Sequence, residues 1–365
     1  MNEKRTRQGQ EEIPSYVLGV EITPETLAVA LIDEDGRPVA GGLQETPQRT
    51  TRAAVAALTD MLLALASSKE RGARRISSLG ISVAGYVDPA TQRVTIPALQ
   101  DEKGWKAWKG WTRVNLPEMI EEGLIQSGYD ISTPAGVKRA RADRKEPRHL
   151  PMHVSPRVAC LAAAESWVGR ARGKEHLVYL SLGNTIEAGI ISGGQALRGA
   201  DGLAGSVGWL SLAEAVKAEY KIVGCLAAEV GPESFPRRAL EEWSEGATSM
   251  LGKLIKAEGG RIDAEKIVRA ARGGDDLALR IVHQTCGWVG RAVANLLAVL
   301  NPEAIILGGE LGTLLKPYLN EIHTEAEQWT TPELLRSCRL TTSVLGPEAG
   351  VIGAAFLAEM KRKVG

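Results

Sequence analysis

The apolar positions along this chain switch between two periods. Residues 16–22 (YVLGVEI) and 26–33 (TLAVALID) are apolar runs of strand length, joined by the turn-prone Thr23-Pro24-Glu25. The second run ends at the hairpin signal DEDG. Residues 51–67 carry Ala and Leu at helical spacing, and 75–85 (RISSLGISVAG) read as a strand leading to glycine. Strand, strand, helix, strand is the order of an α/β sheet covered by helices. The same grammar resumes at 175–184 (EHLVYLSLGN) and 187–194 (EAGIISGG), two strands around a turn followed by the glycine-rich 195–209. Residues 236–300 are predicted helical, with amphipathic stretches at 264–272 and 277–300. Residues 303–312 read as a buried strand running into a glycine turn, and 345–361 as a small-residue helix packed closely on a neighbour.

Two stretches stand outside this grammar. In 100–111 (QDEKGWKAWKGW), tryptophans recur at 105, 108 and 111, as in an aromatic platform or, as we favour, one face of a helical turn stacked on the core. Residues 137–149 hold six Lys/Arg against two acids, which reads as solvated surface more readily than as an anion contact. The pattern divides the chain into a flexible tail (1–15), an N-terminal α/β domain (16–135), a basic loop or insertion (136–150), a C-terminal α/β domain (151–340) and a C-terminal helix (341–365) returning to the interdomain region.

Composition narrows the function. Lys+Arg and Asp+Glu both number 44, whereas a dedicated nucleic-acid binder shows a basic excess. The four cysteines (Cys160, Cys225, Cys286, Cys338) form no CxxC pair, so neither a disulfide framework nor a zinc site is expected from spacing. No apolar run approaches the roughly 18 residues of a membrane span, and the polar N-terminus lacks a signal-peptide core. The expectation is a cytoplasmic protein with no membrane partner.

Five segments, 18–36, 177–208, 270–282, 301–309 and 346–355, taken in this order, resemble the ROK family of sugar kinases and sugar-responsive repressors. The resemblance runs from about residue 16 to 361. It implies a two-domain actin-like ATPase (ribonuclease H-like) fold with mixed sheets flanked by helices.

The family's chemistry is altered at each motif. Where the resemblance places a DxGGTK-type phosphate loop, this chain has Glu21-Ile22-Thr23-Pro24-Glu25-Thr26. Such a loop needs glycines so that backbone N–H groups can reach phosphate oxygens, and Pro24 has no N–H to give. Glu25 adds a like charge, and two unit charges about 4 Å apart repel by about 4 kcal/mol at an effective dielectric near 20. The second phosphate loop, LGTGxGAG in the family, matches Leu182-Gly183-Asn184-Thr185-Ile186-Glu187-Ala188-Gly189. The adenosine-side strand keeps Gly308 and Gly309, with Glu310 in place of a third glycine; these glycines serve nucleoside contact or simply tight strand-to-helix packing. Candidate nucleotide contacts are therefore Glu21, Gly183, Asn184, Gly308, Gly309 and Glu310, with magnesium and ATP or ADP as the cofactors if binding survives.

The family's ENDANAAALGE, counted back from Glu165, places Ser155, Pro156 and Arg157 at Glu, Asn and Asp. In a sugar kinase that Asp is the general base, and a permanently cationic Arg157 cannot take a proton. Losing a positioned base costs about 10²–10⁴ in rate. His153 is the nearest histidine in sequence. The sugar contacts implied by the resemblance fall on Ala98, Ser206, Trp209 and Ala227, none of which repeats the family's hydroxyl-binding Asn, Glu or His. Of the family's zinc ligands only Cys225 remains, since Trp209, Ala218 and Tyr220 replace the others, so no zinc is expected.

No catalytic residue and no metal ligand is assigned; the altered pocket is Ala98, Pro156, Arg157, Ser206, Trp209 and Ala227. The favoured reading is a non-catalytic ROK protein that acts in regulation, ligand sensing or scaffolding, with a small-molecule ligand held by Arg157 and Trp209 or else a collapsed cleft. The alternatives are an active, glucokinase-like ATP-dependent kinase with a displaced base, and a ROK-type regulator without its own helix-turn-helix, for which the 15 residues before Tyr16 are too few. The 264–300 stretch and the balanced charge also suit a homo-oligomer.

Overall fold

The computed structural model describes residues 15–47, 50–67, 75–97, 99–100, 106–108, 110–127, 150–243 and 249–364. Ala98, Trp105 and the basic stretch 137–149 lie outside these, as does all but the last residue of the predicted tail. The chain forms two compact units. One is built from Met1–Gly85, Gln92–Ser155 and Ala354–Gly365, and the other from Tyr86–Thr91 and Pro156–Gly353.

In the first unit, β1 (Ser15–Ile22) is buried along nearly its whole length, as a central strand covered on both faces must be. It pairs antiparallel with β2 (Thr26–Ile32), which pairs antiparallel with β3 (Pro38–Glu45). The periodicity gives no warning of β3, because this mostly exposed strand carries Gly41 and Gly42 where β-branched residues would mark it. A Cβ at Gly41 would sit 2.9 Å from the Val29 carbonyl oxygen. Helix α1 (Thr51–Ala66) starts where Thr50 accepts a bond from the Ala53 amide, and it buries Ala54, Val55, Leu58, Leu62 and Leu65. Strand β4 (Arg75–Val83) lies parallel to β1.

Short strands follow: β5 (Tyr86–Val87), which belongs to the second unit, β6 (Val94–Ile96), β7 (Leu99–Gln100), β8 (Lys106–Trp108) and β9 (Trp111–Val114). Trp108 and Trp111 thus lie on strands and not on a helical turn. Gly110, at φ +71°, adopts the left-handed region that a right-handed helix does not use. Trp111 is buried. Helix α2 (Leu116–Gln126) leads on to β10 (Met152–Pro156), which completes the order β10-β4-β1-β2-β3.

The second unit opens with α3 (Arg157–Trp167). Strands β11 (Leu177–Leu182), β12 (Ile186–Ser192) and β13 (Gln195–Ala196) form a meander. Helices α4 (Tyr220–Val223), α5 (Cys225–Val230), α6 (Ser234–Glu242), α7 (Met250–Ala257), α8 (Ala264–Arg272) and α9 (Asp276–Leu300) pack around a core that includes Phe235, Ile281, Val289 and Leu307. Asp275 caps α9 through the Ala278 amide and also accepts from the Leu251 amide, which ties α7 to the start of α9. Strand β14 (Ala304–Gly308) runs into α10 (Gly309–Leu314); α11 (Leu319–Gln328), α12 (Pro332–Ser337), β15 (Arg339–Thr342) and α13 (Ala349–Val364) follow. The sheet order is β13-β12-β11-β14-β15, with β14 parallel to both β11 and β15.

Read outward from β1 and β11, the two sheets repeat one scheme: an antiparallel hairpin and third strand on one side, two further strands on the other. Both are mixed sheets flanked by helices, the architecture implied by the resemblance. No helix among the described residues is long and apolar enough to cross a membrane.

Candidate functional site

The turn between β1 and β2 is where the first unit would cradle a phosphate. Its backbone donors are already spent. The Thr23 amide donates to the Thr26 carbonyl at 2.9 Å. Pro24 has no N–H. The Glu25 and Thr26 amides both donate to the Thr23 hydroxyl, at 3.2 and 2.8 Å. The Thr46 hydroxyl donates to the Thr23 carbonyl at 2.8 Å and pins the turn to the end of β3. A threonine where the family has glycine thus does more than crowd the loop, because its hydroxyl accepts the very hydrogen bonds a phosphate would accept. The turn does not fit a triphosphate. Glu21, buried on β1, accepts from the Ser82 hydroxyl at 3.4 Å.

In the second unit, Gly183 and Gly309 come together at the parallel ends of β11 and β14. A Cβ on Gly309, which has φ +77°, would meet the Leu182 carbonyl oxygen at 2.6 Å and the Gly183 amide at 3.2 Å. A Cβ on Gly308 would lie 2.0 Å from the Tyr179 hydroxyl. Close packing alone therefore accounts for both glycines. Gly183 itself faces open space, Asn184 is exposed beside it, and Glu310 lies in the first turn of α10.

Arg157 is the first residue of α3, directly after Pro156, which offers no side-chain cap. A cation in a first helical turn opposes the helix dipole, so a nearby anion is favoured there. Glu187 supplies it. Residues 187 and 189 share one face of β12, and a Cβ at Gly189 would meet the Val158 carbonyl oxygen and Ala162 of α3. That close approach directs Glu187 toward the start of the helix. Burial pushes its carboxyl above the ordinary range, and the Arg157 charge pulls it part of the way back. Arg198, also half-buried, is lowered by burial and partly restored by Cys160, one turn along α3. Ala188 and Gly205 are joined by a 2.7 Å bond from the Ala188 amide, so the loop bearing Arg198 and Ser206 crosses this same strand.

Ser206, Trp209 and Ala227 are neighbours. Ser206 donates its hydroxyl to the Leu203 carbonyl within its own turn. A Cβ at Gly208 would meet Ala227 at 3.1 Å, and one at Gly224 would meet Trp209 at 3.0 Å. Trp209 is 57% exposed, so its ring is presented as a face and not used as core. Glu187, with raised proton affinity, thus lies within electrostatic range of Arg157 at the start of α3, and the loop that crosses β12 carries the exposed indole of Trp209. His153 is buried on β10, in the first unit.

The sequence gives no sign of the ion cluster around Glu229. This buried carboxylate on α5 accepts from Lys217 at 2.6 Å, from the Tyr220 hydroxyl at 2.5 Å and from Arg238 of α6 at 2.8 Å. Arg238 also donates to Thr285 of α9 at 3.0 Å. Burial alone would raise the carboxyl, but the three donors outweigh it and hold Glu229 at about 2. Burial and the bond to Glu229 push the Tyr220 hydroxyl upward. The stretch aligned with the family's zinc ligands is fastened here by ion pairs and a phenol.

A model of the ROK family matches residues 142–361. A glucokinase from Halalkalibacterium halodurans is 30% identical over 223 residues, which make up 60% of this chain and 66% of that one. A xylose repressor from Caldicellulosiruptor bescii is 26% identical over 217 residues, 56% of this chain and 51% of the repressor. The chain thus spans between half and two thirds of the length of these relatives. Among solved structures, the ROK hexokinase from Thermus thermophilus aligns with a TM-score of 0.70 at 21% identity, covering 96% of this chain and 100% of that one, a likeness in fold.

Proposed function

The chain belongs to the ROK family, and we propose that within it this protein is a non-catalytic member, a regulatory or ligand-sensing relative of the sugar kinases. The observation that carries this reading is the β1–β2 turn, where the Thr23 hydroxyl and the Thr26 carbonyl take up every N–H that residues 23–26 possess. Arg157 at the position of the family's base points the same way, since a guanidinium donates hydrogen bonds and accepts none. The ligand suited to the second unit carries an anionic group for Arg157 and a flat or apolar face for Trp209. A coupled ADP-release assay with magnesium-ATP and a panel of hexoses and amino sugars tests the reading. The expected outcome is no sugar-dependent turnover; turnover that copurifies with the protein would refute it.

A second reading, a kinase with a displaced base, has one observation in its favour. Glu187 faces the start of α3 with a carboxyl of raised proton affinity, the property a general base needs. Sugar-dependent ADP release that disappears in Glu187→Gln would select this reading instead.

A further inference from the structure

The segment ahead of α5 is built inside out. From Lys217 to Val223 the chain winds in helical turns, in which the Tyr220, Lys221 and Ile222 amides donate to the carbonyls of Lys217, Ala218 and Glu219. A surface turn ordinarily sends its aliphatic side chains to the core and its polar ones to water. Here the polar ones go in. Lys217 and the buried Tyr220 both donate to the Glu229 carboxylate beneath them, and Glu219 faces Arg237 of α6 at 3.7 Å. The aliphatic ones go out, with Val216 74%, Ile222 75% and Val223 48% exposed.

The reversal has a physical cause. Lys217 and Tyr220 are three residues apart and share one side of the winding. Glu229 draws that side inward, which leaves Ile222 and Val223 to solvent. Gly224, at φ +93°, closes the turn against the chain at Gly208 and Trp209, where a Cβ would meet the Gly208 carbonyl oxygen at 2.3 Å. The apolar side chains are thus held outward on a fixed frame, and the exposed Trp209 borders them. Isolated surface aliphatics are ordinary, whereas a cluster held in position marks an interaction surface.

We propose that the face formed by Val216, Ile222 and Val223 docks an acidic amphipathic segment of another protein. Charge selects that occupant. Lys217 and Glu219 are neutralised from within, by Glu229 and Arg237. Among the described residues no carboxylate pairs with Lys221, the exposed cation at the flank of the face. Glu214 lies ahead of the winding. A partner that presents aliphatic side chains with an Asp or Glu beside them satisfies the apolar face and Lys221 together. Two-fold pairing with a second copy would instead bring two such lysines into one small interface. The proposal is independent of the ligand assigned to Arg157.

A library of random linear peptides displayed on phage, panned against the full chain, tests it; selected peptides are then synthesised and titrated by fluorescence anisotropy. The expected binders combine aliphatic residues with Asp or Glu. Ile222→Glu is expected to weaken their binding by about tenfold or more, and Lys221→Glu by about fivefold. Binding to Lys221→Glu should return when the peptide's acids are replaced by lysine. Both side chains are exposed, so the fold should persist, which far-UV circular dichroism checks. Leu43→Glu, at an exposed position on β3 of the first unit, should leave binding unchanged. A library that yields no binder, or binders that tolerate Ile222→Glu, overturns the proposal. So does self-association in sedimentation velocity, or cosedimentation with phosphatidylcholine vesicles, that Ile222→Glu abolishes, because the face then belongs to a second copy or to a lipid surface.

Discussion

Replacing Glu229 by glutamine removes the charge that Lys217, Tyr220 and Arg238 share while keeping nearly the same volume. Lys217 is half-exposed and can hydrate, but Arg238 is 5% exposed and cannot. Its bonds to Thr285 and to the Glu229 carbonyl remain, and its counter-charge does not. Removing one partner of a buried pair costs about 3–5 kcal/mol, because the other charge stays desolvated. Linkage gives a similar figure by another route: a carboxyl held at about 2 against an ordinary 4.5 contributes about 3 kcal/mol at neutral pH. The assay is urea denaturation at neutral pH, read as a lower midpoint at unchanged slope. The folded-state value is depressed, so this contribution is complete above pH 4.5 and is lost as pH falls from there through about 2. The gap between wild type and variant should narrow over that interval. A variant within about 1 kcal/mol of wild type at neutral pH, or a gap insensitive to acid, would refute the reasoning. The double replacement Glu229→Leu, Arg238→Met should recover much of the loss, since well-packed apolar residues often substitute for buried ion pairs.

Two further outcomes follow from the geometry. Gly80→Ala would place a Cβ 1.9 Å from the Ala354 carbonyl oxygen, backbone against backbone; overpacking of this kind costs about 1–3 kcal/mol, visible as a lower thermal midpoint, and an unchanged midpoint would mean α13 shifts freely over β4. Glu187→Gln should stabilise the protein at neutral pH, where burial penalises the charged carboxylate. With a raised folded-state value, the wild type recovers as pH falls through that value and toward 4.5, so denaturation at two pH values should show the advantage shrinking.

The fold was legible because its central strands are continuous apolar runs ending in glycine or tight turns, and because α8 and α9 keep a clear helical period. The edges were harder to read. Strand β3 is mostly exposed and glycine-bearing, and the three-residue recurrence of tryptophan mimics a helix although Trp108 and Trp111 lie on strands. The site was legible as a set of departures from a family pattern, and less so as a set of contacts. That Thr23 replaces a glycine is plain in the sequence; that its hydroxyl accepts two neighbouring amides is a matter of turn geometry. Tyr179 fills the space a Cβ would take at Gly308 because β11 and β14 are parallel neighbours, although 129 positions separate the two residues. Lys217, Glu229 and Arg238 belong to three separate segments, and no local period relates them. The packing of α5 against α6 brings Glu229 and Arg238 together, and Lys217, ahead of α4, reaches the same carboxylate.

The Thr23 hydroxyl also changes how the β1–β2 turn meets its surroundings. A glycine loop presents its amides to solvent and waits for a dissolved anion, so its occupancy follows concentration. Here the acceptor is tethered within three residues of both donors, and any outside oxygen would compete with a group whose effective concentration reaches at least the millimolar range for short connections. The turn is in this sense its own ligand. Its shape is set by the chain and not by what is dissolved around it.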